Sequence, residues 1–262
     1  MTSNIISKGE IHETAIIGDD VKIGKNVTIY PYVVIEGIVE IQKDVTIHSF
    51  TNISESPEHK YLSKNDEGKV FIGEKATLFQ HTAITIPTTS KETHIGKRAF
   101  LMGGAHIGHD CIVMDDGIVG GNGMMAGHSV LGKGAFLGDS ATIHQWTVVG
   151  AHSMIGMNCP VRHNVLPFTI AYGSPPFWKN INQIGFDRSG IPIEEKYFLE
   201  AFYTGNINEY SLLGLTKKLE ELKSDIGPYP TMDALFREFI DQINTIRKSS
   251  NTNKGKFVRW KE

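Results

Sequence analysis

Aliphatic residues return every six positions along most of this chain. The series runs from Ile11 through Ile17, Ile23, Ile29, Ile35, Ile41, Ile47 and Ile53, and resumes at Ile72, Leu78 and Ile84. It resumes again at Ile95 and continues through Leu101, Ile107, Val113, Val119, Met125, Leu131, Leu137, Ile143, Val149 and Ile155 to Val161. Glycine often follows the aliphatic residue, and a small residue often stands four places after it; Cys111 and Cys159 both take that small position. Such a period reads as a short strand and a turn, with three units closing a triangular coil of about 18 residues. One coil cannot bury its aliphatic residues alone. Stacked coils share an interior column and pair their backbones at about 4.8 Å.

Counting a weak first hexad at Ile5, the pattern gives 24 hexads, or eight coils. Two interruptions, near 54–71 ("SESPEHKYLSKNDEGK") and at 90–94 ("SKETH"), are expected to loop outward. The fold class predicted is mainly β: a parallel β-helix over 1–170, a connecting segment over 171–190, and a small α-helical C-terminal domain over 191–262. The helical reading rests on "IEEKYFLEAFYTG", "NEYSLLGLTKKLEELKSDIG" and "TMDALFREFIDQINTIRKSS", whose apolar spacing is helical, with Thr231 as an expected N-cap. The last segment, "KGKFVRWKE", is basic and expected to be mobile.

Composition adds exclusions. The 262 residues are 40% hydrophobic, enough for a real core, and the formal net charge of -3 gives no overall pull toward nucleic acid. The opening "MTSNIISKGEIHETA" lacks a basic segment followed by an apolar run, and no stretch reaches the roughly 18 apolar residues of a membrane span. A soluble, cytoplasmic protein is expected. Two cysteines are too few for a disulfide framework, and no CxxC pair suggests zinc or redox work.

The chemistry concentrates in "GGAHIGHDCIVMDDGIVGGNGMMAGHSVLG", residues 103–132. Ile107 and Met125 stand eighteen apart, which places His109 over Gly127 and Asp110 over His128 on adjacent coils. A neutral imidazole can accept a proton near pH 7, and an adjacent carboxylate can orient it and stabilise its cation.

With "AHIGHDC", "AGH", "HQW", the lysine-bearing first loop and the helical tail, the chain resembles the acyl carrier protein-dependent UDP-N-acetylglucosamine O-acyltransferases of lipid A biosynthesis. The resemblance covers nearly the whole chain and implies a left-handed parallel β-helix, a homotrimer with its site between subunits, and transfer of a 3-hydroxyacyl group. The donor would be acyl carrier protein, whose own 4'-phosphopantetheine arm leaves the enzyme needing no cofactor and no metal. The acceptor would be the 3-position of the sugar nucleotide.

By the same resemblance, His109 is the general base, Asp110 its carboxylate partner, and Gly127 the backbone donor to the oxyanion. Glu58, Lys60, His106, His128, His144, Gln145, Asn180 and Arg188 would bind substrate, and Met157 would end the acyl groove as a ruler. Several positions depart from the family pattern. Thr85 replaces a histidine, Ile86 a basic residue, and Asn182 a uracil-contacting glutamate, while Phe186 and Asp187 stand in a usually basic cluster. These departures leave open the same chemistry on another nucleotide-linked amino sugar. More remote alternatives are a metalloenzyme like the γ-type carbonic anhydrases, disfavoured by the histidine spacing, and a nonenzymatic scaffold.

Overall fold

The computed structural model describes residues 7, 9–58, 60–61, 67–203, 212–226, 229–249 and 259–260. Short strands stack into three sheets that form the faces of a prism. The first face holds eight strands, from Ile16–Ile17 to Pro160–Val161, and the second holds seven, from Val21–Ile23 to Val148–Val149. The third begins at Thr28–Ile29. Ile107 lies opposite Met125 and Met125 opposite Ile143, so one coil is eighteen residues long. This is the parallel β-helix that the six-residue period predicts; the weak hexad at Ile5 lies outside the described residues.

The periodic residues point inward. On the first face Ile35, Ile53, Ile84, Ile107, Met125, Ile143 and Val161 form a column in which none exceeds 1% exposure. Burial of each such side chain contributes about 1.5–3 kcal/mol, so the column is a main source of stability. Cys111 and Cys159 are buried, unbridged members of the same core. The corners turn through left-handed backbone: Asp110, His128 and Trp146, stacked on successive coils, each have φ of 61°. Aspartate tolerates that region, whereas the bulkier rings hold it against a penalty of about 1–2 kcal/mol.

Both interruptions fall on one edge of the prism, between the first and second faces. The first leaves Asn52–Glu55 and rejoins at Lys69–Ile72. The second lies earlier than 90–94, because Glu92–Ile95 is a strand that pairs with Lys69–Ile72 and with Ile112–Val113. Thr93 and Ile95 alternate inward there, which extends the strand toward its start. The extra residues therefore fall between Ala83–Thr85 and Glu92–Ile95, so Ile84 pairs with Ile107 twenty-three positions on. Instead of looping outward, they fold against the next coil.

Segment 171–190 is more than a connector. Thr169–Tyr172 adds to the third face beside Met154–Ile155, and Phe177–Ile181 returns antiparallel to it. Helix α1 follows at Gln183–Arg188, then α2 at Lys196–Phe202, α3 at Leu212–Ile226 and α4 at Pro230–Ser249. Thr231 is not the N-cap, since α4 already includes Pro230. Proline loses nothing there, because a first-turn N–H has no intrahelical acceptor. Phe198, Phe202, Phe236 and Phe239 pack with Val130 and Val148 of the second face, which joins the helices to the prism. Of the basic tail, Arg259–Trp260 pairs with Phe177–Ile181, and the remainder lies outside the described residues.

Candidate active site

The edge between the first and second faces carries the histidines. His109 and Asp110 occupy the turn after His106–Ile107, and Gly127 and His128 the turn after Met124–Met125. His128 N donates to the His109 carbonyl at 2.9 Å, which fixes the two turns in the register that the sequence implies. His109 Nδ1 lies 2.7 Å from Asp110 Oδ2. Because an ionised carboxylate only accepts, Nδ1 carries the proton and Nε2 is the basic nitrogen. The ring lies against Gly127, where a Cβ would come within 2.5 Å of Nε2. His128 meets the His109 ring edge-on, with centroids 5.0 Å apart, and itself stacks on Trp146, with ring centroids 3.6 Å apart and planes 5° from parallel.

The insertion completes the site. Asp110 accepts from Thr88 N at 3.1 Å, Thr88 Oγ1 at 2.7 Å, Thr89 N at 3.1 Å and Ser90 N at 2.6 Å, besides His109. Burial alone would push this carboxyl up, but the hydrogen bonds from His109, Ser90 and Thr88 outweigh it and hold the group far below the usual carboxylate range. His128 Nε2 stands 3.5 Å from the same oxygen that His109 meets. His109, Asp110 and His128 thus present ligand-type atoms within 4.8 Å of one another. A cation bound among them would have to displace hydrogen bonds that already fill the carboxylate, so the donor set fits an oriented base better than a metal centre. Cys111, beside the pair, is buried with its thiol pushed up to about 12 by desolvation, which rules it out as a ready nucleophile.

A cleft of about 480 Å³ opens along the first face, lined in part by His109, Gly127, His106, His144, Gln145 and Glu58. Six of the sequence-predicted residues therefore converge. Glu58 reaches over the cleft with its carboxylate 3.9 Å from His106 Nε2. Lys60 is exposed over the Tyr61 ring, outside the lining. Asn180 on Phe177–Ile181 and Arg188 at the end of α1 are exposed and stand apart from the cleft within one chain. Met157 is 67% exposed at the opposite edge of the first face, also outside it.

The departures acquire structural meaning. Asn182 caps α1, accepting from Gly185 N at 3.1 Å, while its amide donates to the His152 carbonyl at 2.8 Å. Phe186 is buried against Phe168, and Asp187 accepts from Gln183. Thr85 and Ile86 are buried at the cleft floor or beside it. Sequence reasoning did not single out Thr88, Thr89, Ser90 or the cleft residue Arg162. Arg162 stands eighteen residues after His144, so the register could have found it; the insertion has no period to read.

No protein-family model matches the chain. An acyl-(acyl-carrier-protein) UDP-N-acetylglucosamine O-acyltransferase of Chlamydia caviae is 37% identical over 209 residues, covering 72% of this chain and 74% of its own. The protein of the same name from Campylobacter lari is 34% identical over 228 residues, 80% of this chain and 87% of its own. The chain belongs to this acyltransferase family. Among solved structures, the UDP-N-acetylglucosamine acyltransferase of Francisella novicida superposes with a TM-score of 0.74 at 23% identity, over 95% of this chain and 91% of that one. That of Campylobacter jejuni gives 0.73 at 22% identity, over 97% and 100%. The acyltransferase fold here is the left-handed parallel β-helix with C-terminal helices. Among the described residues no helix is long and apolar enough to cross a membrane.

Proposed function

We propose that this protein transfers a 3-hydroxyacyl group from acyl carrier protein to the 3-hydroxyl of UDP-N-acetylglucosamine, with His109 as general base. One observation carries the reading: the imidazole, held by Asp110 through Nδ1, lies against Gly127 on the wall of a cleft deep enough for a sugar. His109 Nε2 takes the proton of the sugar hydroxyl as its oxygen attacks the thioester carbonyl. The oxyanion of the tetrahedral adduct receives the Gly127 N–H, which among the described residues meets no protein acceptor. Collapse expels the pantetheine thiolate, which takes the proton back from His109. The arm arrives with the carrier protein, so the chain itself supplies only base, oxyanion donor and orientation.

In this reading His106, His128, His144, Gln145 and Glu58 shape the sugar pocket. Lys60, Asn180, Arg188 and Met157, which stand outside one chain's cleft, serve a site completed by a neighbouring subunit of a homotrimer in the cytoplasm. Incubation with 3-hydroxyacyl carrier protein and a panel of UDP-linked sugars, with products identified by mass spectrometry, tests the reaction. Acylated UDP-N-acetylglucosamine is the expected product, and His109→Ala is expected to cut the rate by about 10²–10⁴ while the protein stays folded. Full activity in the folded variant removes His109 from the mechanism. Asn182, tied into the α1 cap, favours one second reading, the same chemistry on another nucleotide-linked amino sugar, and preferential turnover of such a sugar would select it.

A further inference from the structure

We propose that Thr88 is a positioning residue that sets the basicity of His109 through Asp110, an inference that rests on the general-base reading above. Three consecutive backbone N–H groups, those of Thr88, Thr89 and Ser90, converge on one carboxylate, and the Thr88 hydroxyl adds a fourth donor at 2.7 Å. The same hydroxyl lies 3.3 Å from His109 Nδ1, so it stands beside the His109–Asp110 hydrogen bond and within reach of both members. At an ordinary hexad turn the next coil's carboxylate takes a single backbone N–H, as Asp115 does from Lys97 at 2.7 Å and Asp139 from Gly121 at 2.8 Å.

The chemistry follows from the competition for one charge. A carboxylate whose lone pairs are occupied by neutral donors stabilises an adjacent imidazolium less than a bare buried carboxylate does, yet still fixes the ring through the Nδ1 bond. A general base works best with its pKa near the working pH, so the charge left on the carboxylate 2.7 Å from its ring bears on its function. The titratable groups around His109 are few. Asp110 and His128 share its edge, and His106 with Glu58, and His144 with Arg162, line the cleft. Lys91 on the insertion is exposed, and Glu92 is turned onto His94 and Lys69. Removing the Thr88 hydroxyl returns charge to Asp110 and makes His109 take its proton at higher pH.

The test uses the full chain with Thr88→Val, nearly isosteric, and Thr88→Ser, which keeps the hydroxyl. The His109 ring is titrated by NMR, its signal assigned by its loss in His109→Ala, and the acid limb of kcat/KM is measured alongside. Thr88→Val is expected to raise the ring pKa and the acid limb together by about one unit, the scale of one charge-assisted hydrogen bond, with acceptor KM unchanged. Thr88→Ser is expected to titrate like the wild type. A folded Thr88→Val protein whose His109 titrates as in the wild type overturns the proposal, as does a Thr88→Ser protein that shifts as far as the valine variant. The ring titration needs no turnover, so an inactive wild type would count against the acyl-transfer reading alone.

Discussion

Gly127 has no side chain, and the imidazole of His109 occupies the space where one would be. An added Cβ meets the ring at Nε2, and the ring cannot retreat without stretching its 2.7 Å bond to Asp110. Gly127→Ala is therefore expected to lower kcat by about 10²-fold or more, since both the proposed base and the proposed oxyanion donor move, while the melting temperature changes little. Steady-state kinetics beside a thermal melt checks this, and unchanged kcat would show that the packing has no catalytic weight. His109, Asp110, Gly127 and His128 were legible in the sequence because an eighteen-residue coil fixes which side chains stack. Thr88, Thr89 and Ser90 were not, because their loop interrupts the period that made the others readable. Asn182, a departure from the family pattern in the sequence, has a structural use that the sequence did not show: its side-chain oxygen caps α1 and its NH2 group holds the His152 carbonyl.

Helix α1 is short, yet it ties the C-terminal helices to the last coils. Asn182 at its start binds the His152 carbonyl, and the His152 ring stacks on Phe168, which in turn meets Phe186 of the helix. Burial, with a smaller push from the Lys133 ammonium, holds the His152 pKa down to about 4. An unfolded histidine titrates near 6.5, so above that pH both states are neutral and the full stability is present. As pH falls from there toward 4, the unfolded chain takes up a proton that the folded one refuses, and up to about 3 kcal/mol is lost. His152→Asn keeps a residue that tolerates the φ of 54° at this corner and removes the titration. Its melting temperature is expected to fall less steeply than that of the wild type between pH 6.5 and 4.5; parallel melting curves against pH would show the brace to be insensitive to acid. Neither the brace nor the burial of Phe186 was visible in the sequence, where 171–190 carries neither a six-residue nor a helical period.

At the scale of the molecule, the prism was the most legible feature, since nearly every aliphatic hexad residue reached the interior column. The site was less so, because a solenoid presents its side chains along an edge and leaves one wall to whatever packs beside it. Met157 illustrates the point, standing exposed on the other edge of the first face from His109. As an acyl ruler it would act across the proposed trimer, and Met157→Gly is then expected to shift product toward chains several carbons longer. Each extra buried methylene is worth about 0.8 kcal/mol, so competition between short and long 3-hydroxyacyl carrier proteins resolves the change. An unaltered product ratio in the active variant would reject the ruler.

The eighteen-residue coil also sets an order of assembly during synthesis. Almost every native pairing in the prism joins segments eighteen to thirty-one residues apart, such as Ile107 with Met125 or Ile41 with Ile72. A ribosome adding about 5–20 residues each second delivers one coil's worth of chain in about one to four seconds, and each new coil has a finished template to dock on. The insertion that wraps Asp110 emerges before Asp110 itself, and Trp146 arrives after both to lay its ring on His128. The edge that carries His109, Asp110 and His128 is thus made before α1 through α4, which afterwards pack on Val130, Val148 and, beside His128, Trp146.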